Sequence, residues 1–284
     1  MENDVFVLIL GATEGAYALA HAFFHDYGIR PTVVDEDAPF YIKESAALTY
    51  ERVPALGDTR MFLLAAERFY ERHSGRSLFL FPVKEAYAAI TEAHRERLET
   101  MFFLPRIYRG DAAPKDACSL LFAYLGTEGE KRTVYGQVAA CDGEGMPTVA
   151  LAKESPDIDL SAMPGGSIAL FAGDADGHFA PLREPLCALL FFLTAADVSL
   201  PEHVINDYVL CEPLPKAERV SGLFSLYPYR WVKKQVFSHL RAEADRRAAR
   251  NMATALFAPA REKGLRFRLR LARFAKKNAK YQSG

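Results

Sequence analysis

The chain has 284 residues, half of them hydrophobic and a quarter charged, a balance that excludes wholesale disorder and suits one large or two modest packed domains. A net charge of −1 conceals an asymmetry: from Arg230 onward there are 16 Lys+Arg against 3 Asp+Glu, and before it 19 against 33. An acidic body with a basic tail is the expectation.

The acidic start, Met1-Glu2-Asn3-Asp4, and the short apolar run after it do not form a signal peptide. The longest apolar stretch, Leu186 to Val198, is interrupted by Thr194 and Asp197 and falls short of the roughly 20 residues a bilayer span needs. Cys118, Cys141, Cys187 and Cys211 form no CxxC pair. Buried free thiols, no metal site and a cytoplasmic location are therefore expected.

Val5 to Leu10 is a continuous apolar run, as for a strand covered on both faces of a parallel sheet. Gly11-Ala12-Thr13-Glu14-Gly15 is a small-residue turn, and Ala16, Leu19, Ala20 and Phe23 then repeat at helical spacing up to Gly28. Thr32 to Asp35 is a second strand ending in an acid, which completes a βαβ unit. A helix over 60–73, a strand over 77–81 closed by Pro82, and one helix over 84–102 continue the alternation.

From Pro105 the texture changes. Arg109 to Asp116 reads as a polar linker. Four short β segments follow over 119–124, 133–139, 148–151 and 167–171, with hairpin turns at Asp142-Gly143 and Asp176-Gly177. Pro185 to Ala196 reads as a buried helix, Pro201 to Val209 as a short element, and the chain beyond Tyr229 as basic amphipathic helix. The predicted fold class is α/β: a Rossmann-like parallel sheet in residues 1–105, a smaller α+β region in 106–228 and a basic helical tail in 229–284.

The first turn is the candidate ligand site. A helix N-terminus offers unpaired amides and a partial positive charge, which suits phosphate or carboxylate. Gly11, Ala12, Thr13, Glu14 and Gly15 would surround a small anionic ligand, and Asp35 stands where a Rossmann fold keeps its ribose-binding acid. Gly11 and Gly15 equally suit tight turn and helix packing. The Gly-x-x-x-Gly spacing is not the full dinucleotide fingerprint, so NAD(P) stands as the alternative cofactor.

Three ordered segments carry a family resemblance: Leu8 to Ala20, Pro31 to Asp35, and Leu78 to Val83 followed by His94-Arg95-Glu96-Arg97-Leu98-Glu99. Residues 5–105 resemble the pre-ATP-grasp domain of carboxylate–amine ligases, the group that contains D-aspartate ligase and carbamoyl-phosphate-synthase-like proteins. The resemblance implies ATP and Mg²⁺ as cofactors and an ATP-grasp core holding the ion through a Glu-x-Asn pair. No Glu-x-Asn occurs in the sequence, and the nearest Asn–acid step, Asn206-Asp207, has the reverse order. The Tyr227-Pro228-Tyr229-Arg230-Trp231 segment and the basic helix after it resemble what trails such ligases. Two readings stay open: a degenerate ligase, or a non-catalytic partner of a complete one.

Pro164-Gly165-Gly166-Ser167 reads as a turn, Lys153-Glu154 as a strand end, and His178 as a turn histidine. His21 and His25 share a helix face without a third metal ligand. In the tail, Phe267, Leu271 and Phe274 would form a stripe flanked by arginines. That helix could pack on the body or a protein partner, or lie on an anionic membrane surface, with nucleic acid a lesser option.

Overall fold

The computed structural model describes residues 4–113, 119–141, 146–153, 158–195, 198–216, 226–228, 230, 255–258 and 264–281. The Asp142-Gly143 turn, Glu154, Tyr229 and Trp231 lie outside these residues, and the tail helix is described only over 265–281.

The protein is α/β, with a Rossmann-like parallel sheet and a second, mixed sheet. The first sheet has the order β3-β2-β1-β4, formed by β1 (Val5–Leu10), β2 (Thr32–Asp35), β3 (Thr49–Arg52) and β4 (Ser77–Pro82), all parallel. Every residue of β1 except Phe6 is buried, which is why its sequence is apolar throughout rather than alternating. α1 (Glu14–Tyr27) connects β1 to β2. It is capped by the Thr13 side chain, which accepts from the Ala16 amide, and closed by Gly28 at φ 68°. The short α2 (Phe40–Lys43) and polar β3 follow, neither of which the apolar pattern had marked.

α3 (Thr59–Arg72) starts at Asp58, whose carboxylate accepts the Arg60 and Met61 amides. The single helix expected over 84–102 is instead two, α4 (Glu85–Ala93) and α5 (Arg95–Glu99), broken at His94. The break returns the chain to the sheet. Phe103 pairs with β4, its amide donating to the Leu78 carbonyl at 2.7 Å.

In the second sheet, β6 (Ser119–Leu125), β7 (Lys131–Cys141), β8 (Met146–Lys153) and β9 (Ser167–Gly173) are antiparallel in the order β9-β6-β7-β8. β10 (Phe179–Pro181) returns antiparallel beside β9 through the Asp176-Gly177 turn, with Gly177 at φ 86°. β5 (Arg106–Ile107), just ahead of the segment that reads as a linker, adds two parallel residues to the same edge of β9.

The expected helix over 185–196 begins later, as a 3-10 turn at Ala188–Leu190 followed by α6 (Phe191–Ala195). α7 (Leu200–Ile205) continues as a π-type turn over Asn206–Leu210, and the tail closes with α8 (Leu265–Tyr281). One core joins the layers: Ile9, Phe79 and Phe81 of the first sheet belong to the same apolar cluster as Leu120, Phe122 and Ile168 of the second, and as Phe267 and Leu271 of α8. No helix among the described residues is long and apolar enough to cross a membrane.

Candidate functional site

β1 and β4 lie side by side, yet β1 leads to β2 on one side while β4 is reached by crossing back to the other. That reversal opens a crevice beyond the carboxyl ends of the two strands, where ligands bind in open α/β sheets. The two loops leave the sheet together, the Val83 amide donating to the Leu10 carbonyl at 2.8 Å. Between them lies a cleft of about 270 Å³, lined by Thr13, Glu14, Lys84, Glu85, Glu184 and Cys187 among others.

The turn glycines have distinct tasks. Gly11 adopts φ 113°, and a Cβ there would meet the Lys84 side chain at 2.9 Å, so a bare backbone lets Lys84 cross it. A Cβ on Gly15 would sit 1.9 Å from the Leu186 carbonyl oxygen, because the backbone of Leu186-Cys187 lies directly on the start of α1. The Ala12 amide donates to Asp35 and the Ala16 amide to Thr13. Among the described residues no acceptor takes the amides of Glu14 and Gly15, which remain the open donors of this helix end.

Asp35 is 1% exposed. Its Oδ2 accepts the Ala12 amide at 2.6 Å and lies 2.5 Å from Lys84 Nζ, while its Oδ1 accepts Tyr87 Oη and the Glu36 amide, both at 2.8 Å. Burial pushes its carboxyl up, but these four donors outweigh burial and hold it below the ordinary carboxylate range. A ribose hydroxyl would have to displace one of them. Lys84 and Tyr87 therefore join the candidate site through Asp35, although no short motif marks them.

The charge of the cleft is mixed. Glu14, half-buried, has its pKa raised by desolvation. Glu85 pairs with Arg183 at 3.4 Å. Cys187 is a free, half-buried thiol whose burial pushes its pKa up to about 12, which favours the protonated form. Cys211, expected buried, is exposed. Across the β4–α4 loop lies a second cleft of about 340 Å³ between Ala88, Leu104, Ile107 and Arg109. The Arg109 guanidinium there donates to the carbonyls of Arg183 (3.1 Å) and Pro82 (3.4 Å), and burial draws its pKa down.

The remaining candidates have structural places. His21 is buried against Tyr17, while His25 is exposed beside Asp26. Asp174, Asp176 and His178 cluster at the exposed β9–β10 turn, where Asp174 accepts the amides of the other two as a turn former. Gly166 presses on the Tyr208 hydroxyl, which donates to the Gly166 carbonyl at 3.1 Å. Asp207 of the Asn206-Asp207 step accepts from Tyr124 Oη and from the amide and hydroxyl of Thr127, tying the β6–β7 hairpin to the turn after α7.

No protein-family model and no curated protein matches the chain. Among solved structures, the phosphoribosylaminoimidazole carboxylase ATPase subunit of Aquifex aeolicus is 12% identical, with 75% of this chain and 78% of that chain covered at a TM-score of 0.41. The L-amino acid ligase of Bacillus licheniformis is 10% identical, with 78% and 79% covered at 0.44. The N5-carboxyaminoimidazole ribonucleotide synthetase of Thermus thermophilus is 15% identical, with 87% and 98% covered at 0.40. Likenesses at this level assign neither family nor activity.

Proposed function

We propose that the chain is a binding protein related to the ATP-grasp carboxylate–amine ligases, and that it holds a small ligand bearing an anionic group in the crevice between the ends of β1 and β4. The single observation carrying this reading is that the 270 Å³ cleft coincides with the reversal of connection order. The open Glu14 and Gly15 amides supply positive character there, beside a Lys84 ammonium that Asp35 holds in place.

The residues present do not suit a nucleotide cofactor in this cleft. Asp35 is already saturated, which removes the acid that a nicotinamide dinucleotide would use. Glu14 and Glu184, beside a Glu85 already paired with Arg183, oppose a polyphosphate. These carboxylates instead favour a molecule carrying an amino group beside its acid. The reading is one of binding, since the sequence has no Glu-x-Asn pair to hold Mg²⁺.

A melt of the full chain against small amino-bearing carboxylates, simple carboxylates, MgATP and NADPH tests this. A ligand at 100 times its Kd should add about 2.7 kcal/mol, read as a Tm rise of roughly 5–8 °C. Glu184→Gln should weaken the amino-bearing ligand about tenfold, the loss of one charge contact, and leave the unliganded Tm in place. Stabilisation by NADPH alone, or by no small acid, would sink the proposal.

A further inference from the structure

α8 has 17 residues, LRFRLRLARFAKKNAKY, with seven Lys or Arg and no acid. Its inner face is fully engaged. Phe267, Leu271 and Ala275 are buried, and Phe274 packs against Phe40, Tyr41 and Phe257 at 5.4–5.5 Å between ring centroids. Arg270 lies over the Phe40 ring at 4.7 Å and pairs with Glu44. The helix is thereby fixed in rotation, and one defined face is turned outward.

That outward face is unusual in two ways. Leu265 (73% exposed) and Leu269 (53% exposed) are the exposed large apolar side chains among the described residues. They stand four residues apart, on one line of the helix. Arg266, Arg273 and Lys276 flank them, all exposed. Among the described residues no carboxylate forms an ion pair with these three.

We infer that this face docks on an anionic lipid surface, with Leu265 and Leu269 entering the headgroup boundary and Arg266, Arg273 and Lys276 contacting lipid phosphates and carboxylates. The chemistry favours lipid over the other polyanions. Single-stranded nucleic acid would stack its bases on aromatic platforms, and the rings at 267 and 274 are turned inward; a duplex would take up the cations through its phosphates but leave Leu265 and Leu269 in water. An acidic protein surface would give the protruding leucines no apolar depth, whereas a bilayer boundary accepts isolated aliphatic chains between cations whose heads remain at the interface. Each cation near an anionic membrane is worth roughly fivefold in partitioning, so three cations and two leucines give measurable, reversible binding.

The test is co-sedimentation of the full chain with vesicles of equimolar phosphatidylcholine and phosphatidylserine, against phosphatidylcholine alone. Binding is expected only to the anionic vesicles and should fall steeply with salt, as screening requires. Leu265→Ser with Leu269→Ser, and separately Arg266→Glu with Arg273→Glu, should each lower partitioning at least tenfold with the melt unchanged, since all four side chains face water. Should either pair disturb the melt, the salt titration of the unaltered chain decides. No binding to anionic vesicles, equal binding to neutral ones, charge reversal without effect, or preferential capture of poly-uridylate or poly-glutamate would overturn the proposal.

Discussion

Asp35 is held in its buried place by four donors contributed by three different loops and a helix. Removing one carboxylate oxygen turns a satisfied cluster into one with a misplaced amide. We expect Asp35→Asn to cost about 3 kcal/mol, measured by chemical denaturation at neutral pH. Because the folded pKa lies below the ordinary value, this contribution is present above about pH 4 and is lost as pH falls through the folded value. The denaturation difference between the two proteins should therefore shrink in acid. Gly15 makes a complementary case. A methyl group there has only backbone to push against, so Gly15→Ala should cost about 2–3 kcal/mol by overpacking. A drop in Tm of less than about 3 °C would mean that the Leu186-Cys187 segment moves aside.

Among the elements, those buried on both sides could be read from the chain. β1 and β4 declare themselves by apolar runs, β2 by the Val33-Val34 pair ahead of Asp35, and α1 by the Thr13 cap and Gly28 close. β3 could not be, because Thr49-Tyr50-Glu51-Arg52 is an edge strand with no fully buried residue and an unmarked composition. The break at His94 has no Gly or Pro to announce it. It exists because Phe103 must reach the edge of β4, a tertiary demand. The first turn was legible as a candidate site, but half of what surrounds it was not. Lys84 and Tyr87 follow Asp35 by 49 and 52 residues, and only the placement of β4 beside β1 brings them there. The two leucines of α8 offer a direct check on element packing. Leu271→Ala, at a fully buried position, should cost about 2–4 kcal/mol, whereas Leu269→Ala should stay within about 0.5 kcal/mol. Equal effects in a denaturant series would mean that the helix is rotated from the orientation described.

At the scale of the whole molecule, acid should weaken the fold well before the carboxylates titrate. His203 is 2% exposed, with Nδ1 2.7 Å from the Ser199 carbonyl and its ring against Phe122 and Tyr124. Burial lowers its pKa, and also that of His73, which stacks on Phe6. Below about pH 6.5 the unfolded chain takes up protons that the folded chain refuses, so stability falls with pH from that point. The slope can reach about 1.4 kcal/mol per pH unit for each such group. Denaturation midpoints between pH 7 and 5 should show this fall, and His203→Gln should flatten it even though the variant starts lower. A parallel fall in both proteins would assign the effect elsewhere.

The ring cluster shared by Tyr17, Tyr41, Phe257 and Phe274 also has a consequence for biosynthesis. Tyr17 and Tyr41 emerge from the ribosome early, while their cover is translated more than two hundred residues later. At ordinary elongation rates that leaves an oily patch uncovered for roughly ten to fifty seconds. The nascent chain therefore spends much of its synthesis as a natural client for chaperones. Premature termination before Phe257 would leave the Tyr17 and Tyr41 rings without that cover and the product adhesive.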